Sequence, residues 1–198
     1  MELNLKPLLG NWTHGWSLDQ HTVSSSCGGG DGIDRPAFAT ERSEIGEAIY
    51  QLKYRADLTQ VEPIARTVAG FIRGRSELFD VKAILAVPPS NWRRSFQPVQ
   101  AITARLGELL ALPAPDDYLF KSRETQALKG IADKRRRRQE LDDAFAVRDK
   151  RFAGQHVVLF DDLFRSGETL KAATAALLFL GNSSMVSVVA ATSTRSNR

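Results

Sequence analysis

Residues 157–169 read VVLFDDLFRSGET, and this stretch decides the fold. Four apolar residues, Val157 to Phe160, run directly into the carboxylates Asp161 and Asp162. A short loop with Arg165, Ser166 and Gly167 follows, and Glu168 and Thr169 lead into the helical pattern LKAATAALLFLG. An apolar run of this length reads as a buried strand, and the segment after it as a helix stopped by Gly181 and Asn182. Adjacent acids at the end of a buried strand are costly unless they are paired or ligated. A helix N-terminus beside them presents unpaired N–H groups and partial positive charge to an anion. The pattern therefore suits a ligand carrying both phosphate and hydroxyl groups. The plain alternative is an ordinary strand–turn–helix capped by Ser166 or Thr169.

Working outward, VKAILAVPPS (81–90) is a second apolar run, closed by Pro88 and Pro89, and PVQAITARLGELLAL (98–112) has helical spacing. Ser43 opens a helix with Glu44 and Glu47 in its first turn and Lys53 and Arg55 near its end, where charge suits the helix dipole. Another helix is expected from near Thr59, with Pro63 tolerated close to its start. DYLF (117–120), AFAV (144–147) and MVSVVAAT (185–192) read as further strands. Strands alternating with helices predict an α/β fold, a mostly parallel twisted sheet with helices on both faces. Ligands in such sheets sit beyond the carboxyl ends of the strands, where both AVPPS and FDDLFRSGET fall. Residues 1–42 read as an irregular N-terminal extension with a flexible Ser/Gly loop at 24–36, and residues 43–198 as the main domain.

Composition narrows the class. At 42% hydrophobic and 25% charged residues, the 198-residue chain matches an ordinary globular protein. No apolar run approaches the roughly 20 residues of a membrane helix, and the start lacks a secretory pattern. The single cysteine, Cys27, rules out an intrachain disulfide and suits a cytoplasmic location. His14 and His21 have too few companion ligands for a metal site and are assigned to packing or hydrogen bonding. Net charge is +4, yet Lys121 to Arg138 alone hold eight basic residues against two acids. That segment expects a polyanion, either a phosphate group or nucleic acid.

The 157–169 stretch resembles the thirteen-residue phosphoribosyl pyrophosphate (PRPP) motif of type I phosphoribosyltransferases, Arg165 being its one unusual residue. Within that superfamily, EAIYQLKYRAD, AVPPSNWRRSFQPVQAITARL and RETQALKG…RRRRQELDDAF resemble the ComF-like branch and the phosphoribosyltransferase domains found with RecQ-type helicases. The likeness spans roughly residues 45–192. It implies transfer of a phosphoribosyl group from PRPP to a nitrogen acceptor, which the sequence leaves unidentified. Asp161 and Asp162 would be the catalytic pair holding the ribose, and Phe164, Arg165, Ser166, Gly167, Glu168 and Thr169 the 5′-phosphate loop. Pro88, Pro89, Ser90, Asn91, Arg93 and Arg94 would form the pyrophosphate loop. Arg123, Lys129, Lys134 and Arg137 would belong to a mobile basic loop that closes over the site or touches nucleic acid. Mg²⁺ is the implied cofactor, bridging ribose and pyrophosphate oxygens with mostly water and substrate ligands, Asp161 and Asp162 being its candidate protein contacts. The resemblance also offers a second role, a non-catalytic PRPP or nucleotide sensor acting with DNA or a helicase in DNA uptake, repair or defence. Many relatives are dimers, so a homodimer is a further expectation.

The chain also departs from the branch. One cysteine cannot build the N-terminal zinc ribbon many relatives carry, and the branch's Arg-Gly-Phe-Asn-Gln is here Arg94-Ser95-Phe96-Gln97-Pro98. Glu140 stands where relatives have Asn, and no glutaminase segment accompanies the domain.

Overall fold

The computed structural model describes residues 1–27, 38–90, 96–122 and 144–194. Nine strands and four α-helices are formed by these residues: β1 (Lys6–Pro7), β2 (His14–Gln20), β3 (Thr22–Cys27), β4 (Phe38–Arg42), α1 (Glu44–Tyr54), α2 (Val61–Arg73), β5 (Val81–Ala86), α3 (Pro98–Leu110), β6 (Leu119–Lys121), β7 (Phe145–Val147), β8 (His156–Phe164), α4 (Glu168–Ala175) and β9 (Met185–Ser193). A π-helical turn, Ala176–Leu180, continues α4. The central sheet has the order β1-β2-β9-β8-β5, and only β1 runs antiparallel to its neighbour. The fold is thus mixed α/β with a mainly parallel sheet, as the alternation of patterns predicts.

Side-chain alternation along β8 builds both faces. Val157 and Leu159 join one core with Leu85, Val188, Trp12, Tyr118, Phe145 and the α4 residue Leu170. Val158 and Phe160 join the other, with Ile84, Val189, Leu18 and the apolar stripes of α1, α2 and α3. These strand residues are fully buried, which explains why the sequence shows continuous apolar runs rather than alternation. The helix ends follow their signals. The Ser43 hydroxyl accepts the Gly46 N–H at 3.1 Å to cap α1, and Pro98 occupies the first turn of α3.

Four expectations are corrected. Residues 1–42 are not irregular where they are described: β2 pairs in parallel with β9 from His14↔Ser187 to Gln20↔Ser193 and places Leu18 in the core. Its sequence, HGWSLDQ, buries polar groups that are satisfied locally. The Ser17 hydroxyl donates to the Asp19 carbonyl at 2.8 Å, and Asp19 Oδ1 accepts the Gln20 N–H at 2.6 Å. An apolar-run criterion therefore passes over it. Second, β8 does not stop at the acids but continues through Asp161 and Asp162 to Phe164, because β9 runs equally far and pairs up to Phe164↔Ser193. Third, β6 and β7 lie outside the parallel sheet and pair with each other as an antiparallel ribbon. Of the Ser/Gly loop expected at 24–36, residues 24–27 instead belong to β3, which pairs with β4, and the rest lies outside the described residues.

Candidate functional site

All four parallel strands point their carboxyl ends to one edge, and the chemistry-bearing residues gather there. Beyond β5 the chain turns through Val87 to Ser90, held to β8 by the Val87 N–H donating to the Phe160 carbonyl at 2.9 Å. That bond sets Pro88, Pro89 and Ser90 beside Asp161. A cavity of about 200 Å³ is lined by Lys53, Pro88, Pro89, Ser90, Gln97, Gln100, Asp161, Asp162 and Thr169, with Val87, Pro98 and Val99 as its apolar wall. The two segments predicted to meet around a ligand do meet here, and the N-terminus of α3 adds a third wall.

Consecutive strand residues face opposite sides of a sheet, so the acids have different environments. Asp162 faces α1 and is 5% exposed. Its Oδ2 accepts from Lys53 Nζ at 2.5 Å, and its carbonyl accepts the Thr192 hydroxyl at 2.9 Å. Asp161 faces the other side, half-buried on the cavity wall, and its Oδ1 accepts the Asp162 N–H at 2.9 Å. Desolvation, followed by the neighbouring Asp162 charge, pushes the Asp161 carboxyl up from its ordinary value. The Asp162 N–H and the charges of Lys53 and Lys121 oppose that rise. Lys121 Nζ donates to Ser90 Oγ at 3.3 Å, and burial holds its pKa down while Asp161 raises it. Each acid therefore has a lysine on its own side of the sheet.

The turn from β8 to α4 is Arg165, Ser166 and Gly167. Gly167 sits at φ 76°, and no side chain caps the helix that follows. A Cβ on Gly167 would come within 2.9 Å of the Phe164 ring, so the loop lies directly on that ring. Phe164 meets Trp12 edge-on at 6.5 Å. Trp12 is locked by its indole N–H, which donates to the Leu8 carbonyl at 2.8 Å, and Asn11 Nδ2 donates to the Lys171 carbonyl at 2.9 Å. The N-terminal segment thus buttresses this loop. Neither Ser166 nor Thr169 caps α4, so its first N–H groups stay available to an outside anion. Arg165 and Ser166 are exposed, and the Arg165 charge is felt at His21.

His14 and His21 play the packing and hydrogen-bonding roles expected of them. The His14 ring lies 5.7 Å from that of Trp16, and His21 Nδ1 lies 3.4 Å from the Thr192 hydroxyl. Among the described residues no three metal-ligating side chains cluster. Asn91, Arg93 and Arg94 of the pyrophosphate loop, and Arg123, Lys129, Lys134 and Arg137 of the basic loop, lie outside the described residues. Sequence reasoning missed Lys53, Gln97 and Gln100 as site residues. Lys53 carried two faint signals, a cation in a helix's last turn and a place in the EAIYQLKYRAD stretch, but its partner lies 109 residues away.

No protein-family model matches the chain. Competence protein F of Haemophilus influenzae is 27% identical over a match covering 67% of this chain and 61% of that protein. The chain resembles this competence protein over about two thirds of its own length. It spans about 61% of the length of this curated relative. Two solved structures from Leishmania donovani share weaker likeness. Adenine phosphoribosyltransferase is 13% identical, with 96% of this chain and 86% of that one covered at a TM-score of 0.43. UMP synthase is 17% identical, with 81% and 27% covered at 0.38. Superpositions this loose carry no argument, and the architecture rests on the strand order and register described above. Among the described residues no helix is long and apolar enough to cross a membrane.

Proposed function

We propose that the carboxyl-edge cavity binds PRPP and that the protein transfers its phosphoribosyl group to a nitrogen acceptor, releasing pyrophosphate. One observation carries this reading: the acid pair, the Pro88–Ser90 turn and the first turn of α4 line a single cavity. The uncapped turn at 165–169 would take the 5′-phosphate on backbone N–H groups. Asp161 and Asp162 would accept hydrogen bonds from the ribose hydroxyls and favour positive charge on the ring as the bond from C1 to the pyrophosphate oxygen breaks. The Pro88–Ser90 turn and the N-terminus of α3 would receive the departing pyrophosphate. The acceptor nitrogen forms the new bond to C1 and gives up its proton. Catalysis of this kind rests on positioning and fixed charge.

The donor set suits a Mg²⁺ ion that arrives with its substrate. Two carboxylates, one already held by Lys53, cannot form a cage, but they can complete a shell made mostly of substrate oxygens and water. When bound, the ion would neutralise pyrophosphate charge.

The test is to incubate the protein with PRPP, Mg²⁺ and a panel of nucleobases and amines and measure pyrophosphate. Turnover that falls at least about a hundredfold in Asp161→Asn and Asp162→Asn is the expected result. Tight PRPP binding with no pyrophosphate from any acceptor favours a second reading, a non-catalytic PRPP sensor acting with DNA or a helicase. The name of the relative, a competence protein, supports that alternative. It expects nucleic-acid affinity that falls steeply with salt and weakens when Arg135, Arg136, Arg137 and Arg138 are changed to Ala.

A further inference from the structure

Lys53 stands in the last turn of α1, a helix packed on the sheet face that carries Val158 and Phe160. From there it reaches over the carboxyl edge to Asp162 at 2.5 Å and forms part of the cavity wall. Its side chain keeps 24% exposure while that of Asp162 keeps 8%. An ammonium has three N–H donors; one is spent on Asp162, and among the described residues the other two take no acceptor. Among the described residues it is the one cation lining the cavity. Pro88, Pro89, Ser90 and the start of α3 line the same cavity.

We propose that Lys53 is the residue that selects a sugar bearing a diphosphate at its anomeric position over a plain sugar phosphate. The assignment rests on the PRPP reading of the cavity and deepens it. Lys53 is held by Asp162 on the cavity lining, so little side-chain entropy is lost when its remaining donors meet a diphosphate. A charge-assisted N–H to a phosphate oxygen is stronger than a neutral one. A ligand that ends in a hydroxyl at that position offers those donors only a neutral acceptor, and the weaker bond. Lys53 also occupies the side of Asp162 where a cation would otherwise sit.

The experiment titrates full-length protein with PRPP, inorganic pyrophosphate and ribose 5-phosphate in metal-free buffer, comparing wild type, Lys53→Met and Lys53→Arg. Lys53→Met is expected to weaken PRPP and pyrophosphate about tenfold or more while ribose 5-phosphate changes by less than about twofold, and Lys53→Arg to recover most of the loss. Equal weakening of all three ligands, or of none, overturns the proposal. Should Lys53→Met leave a lone buried carboxylate that prevents folding, the double variant Lys53→Met/Asp162→Asn removes both charges. Because Asp162 is placed on the ribose, this variant is read against Asp162→Asn alone, and inorganic pyrophosphate should bind it about tenfold more weakly than it binds that single variant. A further arm follows free Mn²⁺ by electron paramagnetic resonance. Lys53→Met should bind it more tightly than wild type, and unchanged Mn²⁺ affinity counts against Lys53 as the resident cation. If wild type fails to bind PRPP at all, the function proposed for the cavity falls. The pyrophosphate and Mn²⁺ arms still decide the role of Lys53.

Discussion

Gly167 concentrates the demands on the site into one residue. It takes φ 76° where the strand becomes a helix, and the Phe164 ring occupies the space a side chain would fill. Left-handed backbone costs a residue with a Cβ roughly 1–2 kcal/mol, and the contact with the ring adds to that. Gly167→Ala should therefore lower stability by about 2 kcal/mol in urea unfolding. It should weaken PRPP more than pyrophosphate, since it disturbs the 5′-phosphate turn and leaves the Pro88–Ser90 turn in place. Equal weakening of the two ligands would mean that the turn does not hold the 5′-phosphate. The glycine, the acids and Thr169 could all be read from sequence because they are neighbours in one run. Lys53, Gln97 and Gln100 could not, since each reaches the cavity from a helix end whose position depends on packing.

Among the elements, β8 with α4 and β5 with α3 were legible for the same physical reason. A strand covered on both faces must be apolar along its length, and a helix covering it must carry a stripe. β2 escapes that rule because its buried Ser17 and Asp19 are satisfied by neighbouring backbone groups. The ribbon of β6 and β7 escapes in another way: its strands are three residues each, too short to show which sheet they join. Since β2 is hydrogen-bonded to β9 along its length and supplies a fully buried Leu18, it belongs to the folding unit. Leu18→Ala should cost about 2–5 kcal/mol. Removing residues 1–42 should leave a chain without a cooperative melting transition by calorimetry. A shortened chain that still melts cooperatively near the wild-type temperature would return this segment to the status of an appendage.

Taken whole, the molecule separates its tasks by the two edges of the sheet. The carboxyl edge gathers the cavity, while the amino edge holds a buried histidine pair of strands together. His156 begins β8, its Nε2 lies 2.8 Å from Ser187 Oγ on β9, and its buried Nδ1 has no hydrogen-bond partner among the described residues. Burial first, and then the charge of His14, holds its pKa below the ordinary value of 6.5, with Asp80 opposing. The unfolded chain therefore binds a proton more readily than the folded one. The stabilisation is complete above about pH 6.5 and is lost as pH falls through the lower folded value. His21 shifts the same way through burial and the charge of Arg42, whereas the raised Asp161 acts in the opposite sense, losing stability as pH rises. Replacing His156 by Gln keeps a side-chain amide near Ser187 and removes the titration. The melting temperature of wild type should fall further between pH 7 and pH 5 than that of His156→Gln. A kcal/mol of the difference corresponds to about 2–4 °C in a chain of this size. The contributions of His21 and Asp161 cancel in that comparison, because both sites lie at the far edge and are present in both proteins. Parallel curves for the two proteins would show that His156 is protonated equally well in the folded and unfolded chain.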